Sequence, residues 1–259
     1  MALKTNKMVF IKSAEEIKKI RAAGKILSAV AREILKQIQE GTNLKDLDRL
    51  TQKLIVQAGG KPAFLGYRPH GSQSVYPFSI CTSVNSVVVH GRPTDYKLRS
   101  GDVLKLDMGV LYENYYADAA WTVGIGKISS EAEKLIKITR EALEKGLKEC
   151  KPGKTLGDIG FAIGSFVRKN GFYPVKGLTG HGIGKDLHED PNVFNDGKKG
   201  EGIALKPGMV LAIEPMIAIG TPEVIQADDD SYITADGSLA AHFEHTVVIT
   251  EDGYEALTI

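Results

Sequence analysis

The chain has 259 residues and a net charge of +1, with 42% hydrophobic and 25% charged residues. That balance is ordinary for a soluble globular protein, long enough to bury roughly 75% of its unfolded surface, and it gives no reason to expect a specific nucleic-acid or anionic-membrane partner. Two cysteines outside any CxxC motif argue against a disulfide framework or a thiolate zinc site, and no run of 18 apolar residues suggests a membrane span, so a cytoplasmic protein is expected.

Ser13-Ala14-Glu15-Glu16 is a capping box. The helix it opens carries apolar residues at Ile17, Ile20, Ala23, Ile26 and Leu27 and should end near Gly41. A second helix is predicted after Asn43, closing at Gly59-Gly60. Strands follow at about 83–89, 102–110 and 115–125. The pattern then restarts. Ser130-Glu131-Ala132-Glu133 reads as another capping box, with its helix running to about Cys150, and a further helix is predicted from Thr155 to Gly171. The Lys-rich stretch 134–154 also carries acids and reads as a solvated helix face. Strands return near 209–214, 231–234 and 240–250.

The restart is visible in the residues themselves. Gly41, Asn43, Leu44, Asp46 and Gly59 recur at an offset of 112 as Gly153, Thr155, Leu156, Asp158 and Gly171. One reading is that helix starts look alike. The other is a single domain over 1–259 made of two related halves, about 13–126 and 130–250, each with helices packed on an antiparallel sheet.

The segment 102–123 reads as a hairpin. With Tyr112-Glu113 at the turn, Leu104, Leu106 and Met108 pair with Trp121, Ala119 and Ala117 on one apolar face, and Asp107 faces Asp118 on the other. Opposed residues have Cβ atoms about 4.5–5.5 Å apart. Two carboxylates that close repel unless a cation lies between them.

Gly180-His181-Gly182-Ile183-Gly184 leads to His188, seven residues on, and the glycines argue for a shaped loop. Glu214 closes an apolar strand and Glu244 lies inside another. Asp107, Asp118, His181, Glu214 and Glu244 together carry four negative charges and one imidazole. Two divalent ions balance that set, which suits Mn, Fe(II), Co or Zn, and two-metal hydrolysis is the chemistry it supports.

Several stretches then form an ordered series. They are Ser83 to Pro93 with Asn85 and His90, Leu106-Asp107-Met108-Gly109, Ala117-Asp118, Gly180 to Pro191, Ile213-Glu214-Pro215-Met216, and Phe243-Glu244-His245-Thr246. This series resembles the type I methionine aminopeptidases of the creatinase-like, or pita-bread, superfamily, in a short bacterial-type form. The resemblance implies an α/β (α+β) pita-bread fold with two pseudo-symmetric halves packed on a curved antiparallel sheet. It implies one metal on Asp107, Asp118 and Glu244, and a second on Asp118, His181, Glu214 and Glu244. His188 is implied to contact the scissile amide, His90 the substrate backbone, and Glu214 to take a proton from the attacking water. Tyr67 and Cys81 match positions that line the methionine pocket, although the stretch 68–79 looks longer than usual and no pocket aromatic stands out near Asp228–Asp230, where Tyr232 is the nearest.

The implied activity is release of N-terminal methionine from nascent proteins when the next residue is small. Peptide N-termini are then the partners, in a monomer that works in or near the ribosome's vicinity, and the chain's own Met1-Ala2 is a substrate. An Xaa-Pro peptidase of the same superfamily, or a metal-free binding homologue, is the alternative.

Overall fold

The computed structural model describes residues 9–68 and 75–259. Met1-Ala2 and residues 69–74 of the long stretch 68–79 lie outside them. In chain order the elements are α1 (Ala14–Lys36), α2 (Leu44–Gln57), β1 (Lys61–Pro62), β2 (Cys81–Val84), β3 (Val87–Val89), β4 (Val103–Tyr112) and β5 (Tyr115–Gly124). Then come α3 (Ser130–Lys148), α4 (Leu156–Lys169), β6 (Tyr173–Pro174), β7 (Thr179–Gly182), β8 (Glu189–Phe194), β9 (Val210–Ile213) and β10 (Met216–Ala218). The chain closes with β11 (Val224–Gln226), β12 (Tyr232–Thr234), β13 (Ala240–His242), β14 (Glu244–Ile249) and β15 (Tyr254–Ala256).

Local chemistry starts the helices. Ser13 and Glu16 form a reciprocal capping box on α1, and Asn43 accepts from Lys45 N and Asp46 N at the head of α2. The cap of α3 is Ser129, one residue before the predicted position, because its hydroxyl is the one that accepts from Ala132 N. Thr155 and Asp158 box the head of α4. The 112-residue offset survives folding: α2 and α4 are each 14 residues long, and β1 and β6 follow them at the same spacing. Gly41 and Gly153 have φ of +85° and +83°, a left-handed turn into each helix that a Cβ would strain.

A nine-stranded antiparallel sheet runs β1-β4-β5-β14-β9-β7-β8, with β2 also on β4 and β15 on β14. Alternation sorts its two faces. Leu104, Leu106, Met108 and Val110 of β4 are fully buried against α1 and α2, with Leu27, Ile34, Leu47 and Ile55. A second core joins α3 and α4 to Leu211, Ile213 and Val247. Burying each such side chain contributes roughly 1.5–3 kcal/mol. Asp107, on the opposite face, is left to line the site.

The β4–β5 register differs from the sequence expectation. The turn is Glu113-Asn114, with φ of +48° and +64°, so Tyr112 pairs with Tyr115. Asp107 therefore stands opposite Ala120, and Asp118 opposite Gly109. Asn tolerates the left-handed conformation that a tight two-residue turn demands, and this moves the turn on by one residue. The shift keeps both aspartates on one face, as diagonal neighbours. Two further expectations change. His181 lies in strand β7, with only His188 in the loop before β8. The last predicted strand is broken at Phe243 into β13 and β14, which belong to different sheets.

Candidate metal centre

Five adjacent strands bring the acids together. Asp107 comes from β4, Asp118 from β5, Glu244 from β14, Glu214 from the residue after β9, and His181 from β7. Register aligns them: Asp107 and Glu244 both pair with Ala120, and His245 pairs with Ile213, which sets Glu214 beside Glu244. All five line one cavity of about 560 Å³, together with Tyr67, Cys81, His90 and His188. Every residue singled out from the sequence thus reaches the same cavity.

The site is dry. Asp118 is 3% exposed, Glu244 2% and His181 7%. Burial pushes the Asp118 carboxyl up to about 7, and it raises Asp107, Glu214 and Glu244 as well, with the neighbouring carboxylates adding to the shift. Four acids that resist ionising together need a cation to charge them. Asp107 Oδ1 and Glu244 Oε1 are buried with no hydrogen-bond partner, as suits oxygens that serve a cation. Donor atoms of Asp118, His181 and Glu244 lie within 4.8 Å of one another, and so do those of Glu214, His242 and Glu244. The donor set fits divalent ions.

The supports are specific. His181 Nδ1 lies 2.9 Å from Gly182 O, and since a carbonyl only accepts, Nδ1 carries the proton and Nε2 is the free lone pair, 3.6 Å from Glu214 Oε1. Burial lowers its pKa to about 4, which keeps the ring neutral at pH 7. Asp118 is clamped by Thr246, whose hydroxyl accepts from Asp118 N and donates to Asp118 O. Asn195 Nδ2 donates to Glu214 O at 2.9 Å.

His188 faces the cavity lumen, with its ring 4.4 Å from that of His181 and its Nδ1 2.6 Å from Tyr67 Oη. The surrounding protein, and then His181 and His90, push its pKa down. Desolvation raises that of Tyr67, so the phenol keeps its proton. His90, also open to the lumen but ringed by protein, has a left-handed φ of +61°, a strained backbone at a site edge. Tyr232 meets its ring edge-on at 5.7 Å.

Sequence reasoning missed Phe64 and Tyr76 on the cavity wall and His242 beside Glu214. Tyr76 lines the cavity with Phe64 and Cys81, brought back to Tyr67 by a backbone bond from Tyr76 N to Tyr67 O. The long stretch before it hid this return. His242 is 1% exposed and lies 3.3 Å from Glu214 Oε2. The strand breaks at Phe243, so the spacing of two from His242 to Glu244 gave no sign in the sequence that His242 meets Glu214.

A pita-bread fold around a carboxylate-rich centre defines a metal-dependent hydrolase. The model of metallopeptidase family M24 matches residues 18–251, and the chain belongs to that family. It is 42% identical to methionine aminopeptidase 1 of Bacillus subtilis over 97% of this chain and 99% of that one. The methionine aminopeptidase structure from Thermotoga maritima superposes with a TM-score of 0.92 at 41% identity, covering 97% and 99% of the two chains. A prolidase from Pyrococcus furiosus superposes at 0.78 and 25% identity, covering 96% of this chain but only 65% of that one.

Proposed function

We propose that this chain is a methionine aminopeptidase, hydrolysing the first peptide bond of proteins to release N-terminal methionine. The observation that carries the reading is the convergence of four carboxyls, Asp118 and Glu244 buried and Asp107 and Glu214 half-buried, with one buried imidazole, and two buried oxygens left unpartnered. High identity over nearly the full length of the methionine aminopeptidases, against a partial match to the prolidase, favours this over Xaa-Pro cleavage.

Asp107, Asp118 and Glu244 would hold one divalent ion, and Asp118, His181, Glu214 and Glu244 the other. Co, Mn, Fe(II) and Zn all suit the set. When bound, the ions lower the pKa of a water and polarise the scissile carbonyl. The chain's own residues do the rest. The Tyr67 Oη–His188 Nδ1 hydrogen bond fits a tautomer in which Tyr67 donates, and His188 Nε2–H is then a neutral donor for the oxygen that gains charge during attack. Glu214, deprotonated once the ions are held, would serve as the base and pass the proton to the departing amine. His90 orients the substrate backbone beyond the cleaved bond. Phe64, Tyr76 and Cys81 form an apolar wall suited to a thioether side chain.

The working unit is one domain of two pseudo-symmetric halves, 13–126 and 130–250, acting as a cytoplasmic monomer on nascent chains near the ribosome. Among the described residues no helix is long and apolar enough to cross a membrane. The test is release of methionine from Met-Ala peptides in the presence of Mn, Fe(II) or Co, with Ala-Pro peptides as control. Absence of release with every ion, or preferred cleavage of Ala-Pro, overturns the reading.

A further inference from the structure

Glu214 lies between two imidazoles. His181 Nε2 is 3.6 Å from its Oε1, and His242 Nε2 is 3.3 Å from its Oε2. His181 belongs to the ligand set described above; nothing assigns a role to His242. Yet His242 is 1% exposed, and neither of its ring nitrogens has a hydrogen-bond partner. A buried imidazole carries at least one N–H, and leaving it unpaired costs about 1–3 kcal/mol. Its backbone is fixed on both sides. His242 N donates to Thr122 Oγ1 at 2.9 Å, the Thr122 hydroxyl donates to His242 O at 2.6 Å, and β13 pairs it with Met216 of β10. The ring is thus held against Glu214 by strand pairing rather than by solvent or chance.

We infer that His242 is a positioning residue that holds the Glu214 carboxylate by donating Nε2–H to Oε2, fixing which oxygen faces the metal. This rests on the reading of Glu214 as a ligand. A group so placed steadies one carboxylate oxygen and leaves the other for coordination, the part that outer partners of metal ligands play. The donor atoms of Glu214, His242 and Glu244 also lie within 4.8 Å of one another, so direct ligation by His242 is the competing arrangement.

Mn(II) titration of the full chain by calorimetry separates them. His242→Leu weakens Mn binding about 10–100-fold. His242→Gln, whose amide can donate the same bond but is a poor ligand for the ion, stays within a few-fold of wild type, with matching melting temperatures for the metal-free proteins. His242→Asn, too short to reach, replaces the Leu variant if that does not fold. Unchanged affinity in His242→Leu overturns the inference, and so does a Gln variant as weak as Leu, which would mark the ring as a ligand. Glu214→Gln tells the two readings apart. If it leaves Mn affinity unchanged, the ligand reading of Glu214 falls and takes this inference with it. If it weakens binding while His242→Leu does not, the inference alone falls.

Discussion

Asp107 and Asp118 share one face of the β4–β5 hairpin without standing opposite each other. Asp107 is paired with Ala120, and Asp118 with Gly109. The diagonal offset separates two roles. Asp107 leaves Oδ1 buried and unpartnered, whereas Asp118 Oδ1 already accepts from Ala119 N and its backbone is clamped by Thr246. Asp107→Asn removes a negatively charged oxygen that the site offers to a cation. Its loss of metal affinity should exceed the roughly 10–100-fold typical of an outer partner, with little change in the stability of the metal-free protein. Calorimetric metal titration beside thermal melting checks both halves. A variant that binds metal normally but melts early would instead make Asp107 a structural residue.

The raised carboxyls give metal binding a pH dependence of definite sign. Burial lifts Asp118 to about 7, so at pH 6 the metal-free site holds its proton. An ion takes the residue as a carboxylate, so binding expels that proton and becomes tighter as pH rises toward and past 7. Asp107, Glu214 and Glu244, raised by the same desolvation, add protons in the same direction. Repeating the titration at pH 6 in buffers of different ionisation enthalpy counts the protons released. A count of zero would mean the acids are already charged without an ion. Chelation at pH 6 should accordingly strip the site faster than at pH 8.

His188 and Tyr67 should part company with the metal ligands when mutated. His188 touches no donor of the cluster by hydrogen bond, and its Nδ1 is engaged by Tyr67 at 2.6 Å. His188→Ala should leave metal affinity near wild type and lower kcat by about 10²–10³, the usual loss for one donor to a developing oxyanion. Tyr67→Phe removes only the bond that fixes the ring, worth about 1 kcal/mol, and should lower kcat by about fivefold. Steady-state kinetics on Met-Ala peptides, with metal content measured on the same samples, test the pair. Equal losses in both variants would deny Tyr67 its subordinate role.

Much of this was legible from residues alone, for physical reasons that differ from case to case. The helix starts at Ser13, Asn43 and Thr155 were readable because a cap is local chemistry within four residues. The apolar faces of β4 and β5 were readable because alternation is local too. The hairpin register was not, since it turned on whether Tyr112-Glu113 or Glu113-Asn114 formed the turn, a choice between neighbouring pairs that alternation alone does not decide. His242 stayed hidden because its meaning depends on Glu214, 28 residues earlier, reaching the same space across two sheets. Tyr76 was masked by the length of the segment that returns it to Tyr67.

The loop that carries His188 is tied to the chain's beginning, and that tie can be cut. Lys12 Nζ and Glu189 Oε2 form a salt bridge in which both side chains are nearly closed off, at 5% and 6% exposure. The other oxygen, Glu189 Oε1, accepts from Lys185 N at 2.8 Å and Asp186 N at 3.2 Å, so one carboxylate gathers the turn before His188 and fastens it to the segment before α1. Gly184 leaves the space that Lys12 fills, since a Cβ there would come within 2.5 Å of Lys12 Cε. Removing one partner of a buried pair leaves the other charge unpaired, at a cost of about 3–5 kcal/mol. Lys12→Met should therefore lower the urea midpoint sharply and slow turnover through a loosened His188. Lys12→Met with Glu189→Leu should regain most of the stability, because no charge is then stranded, while turnover stays low, because Lys185 N and Asp186 N have lost their acceptor. If the double variant regains both together, the bridge holds the fold without shaping the loop.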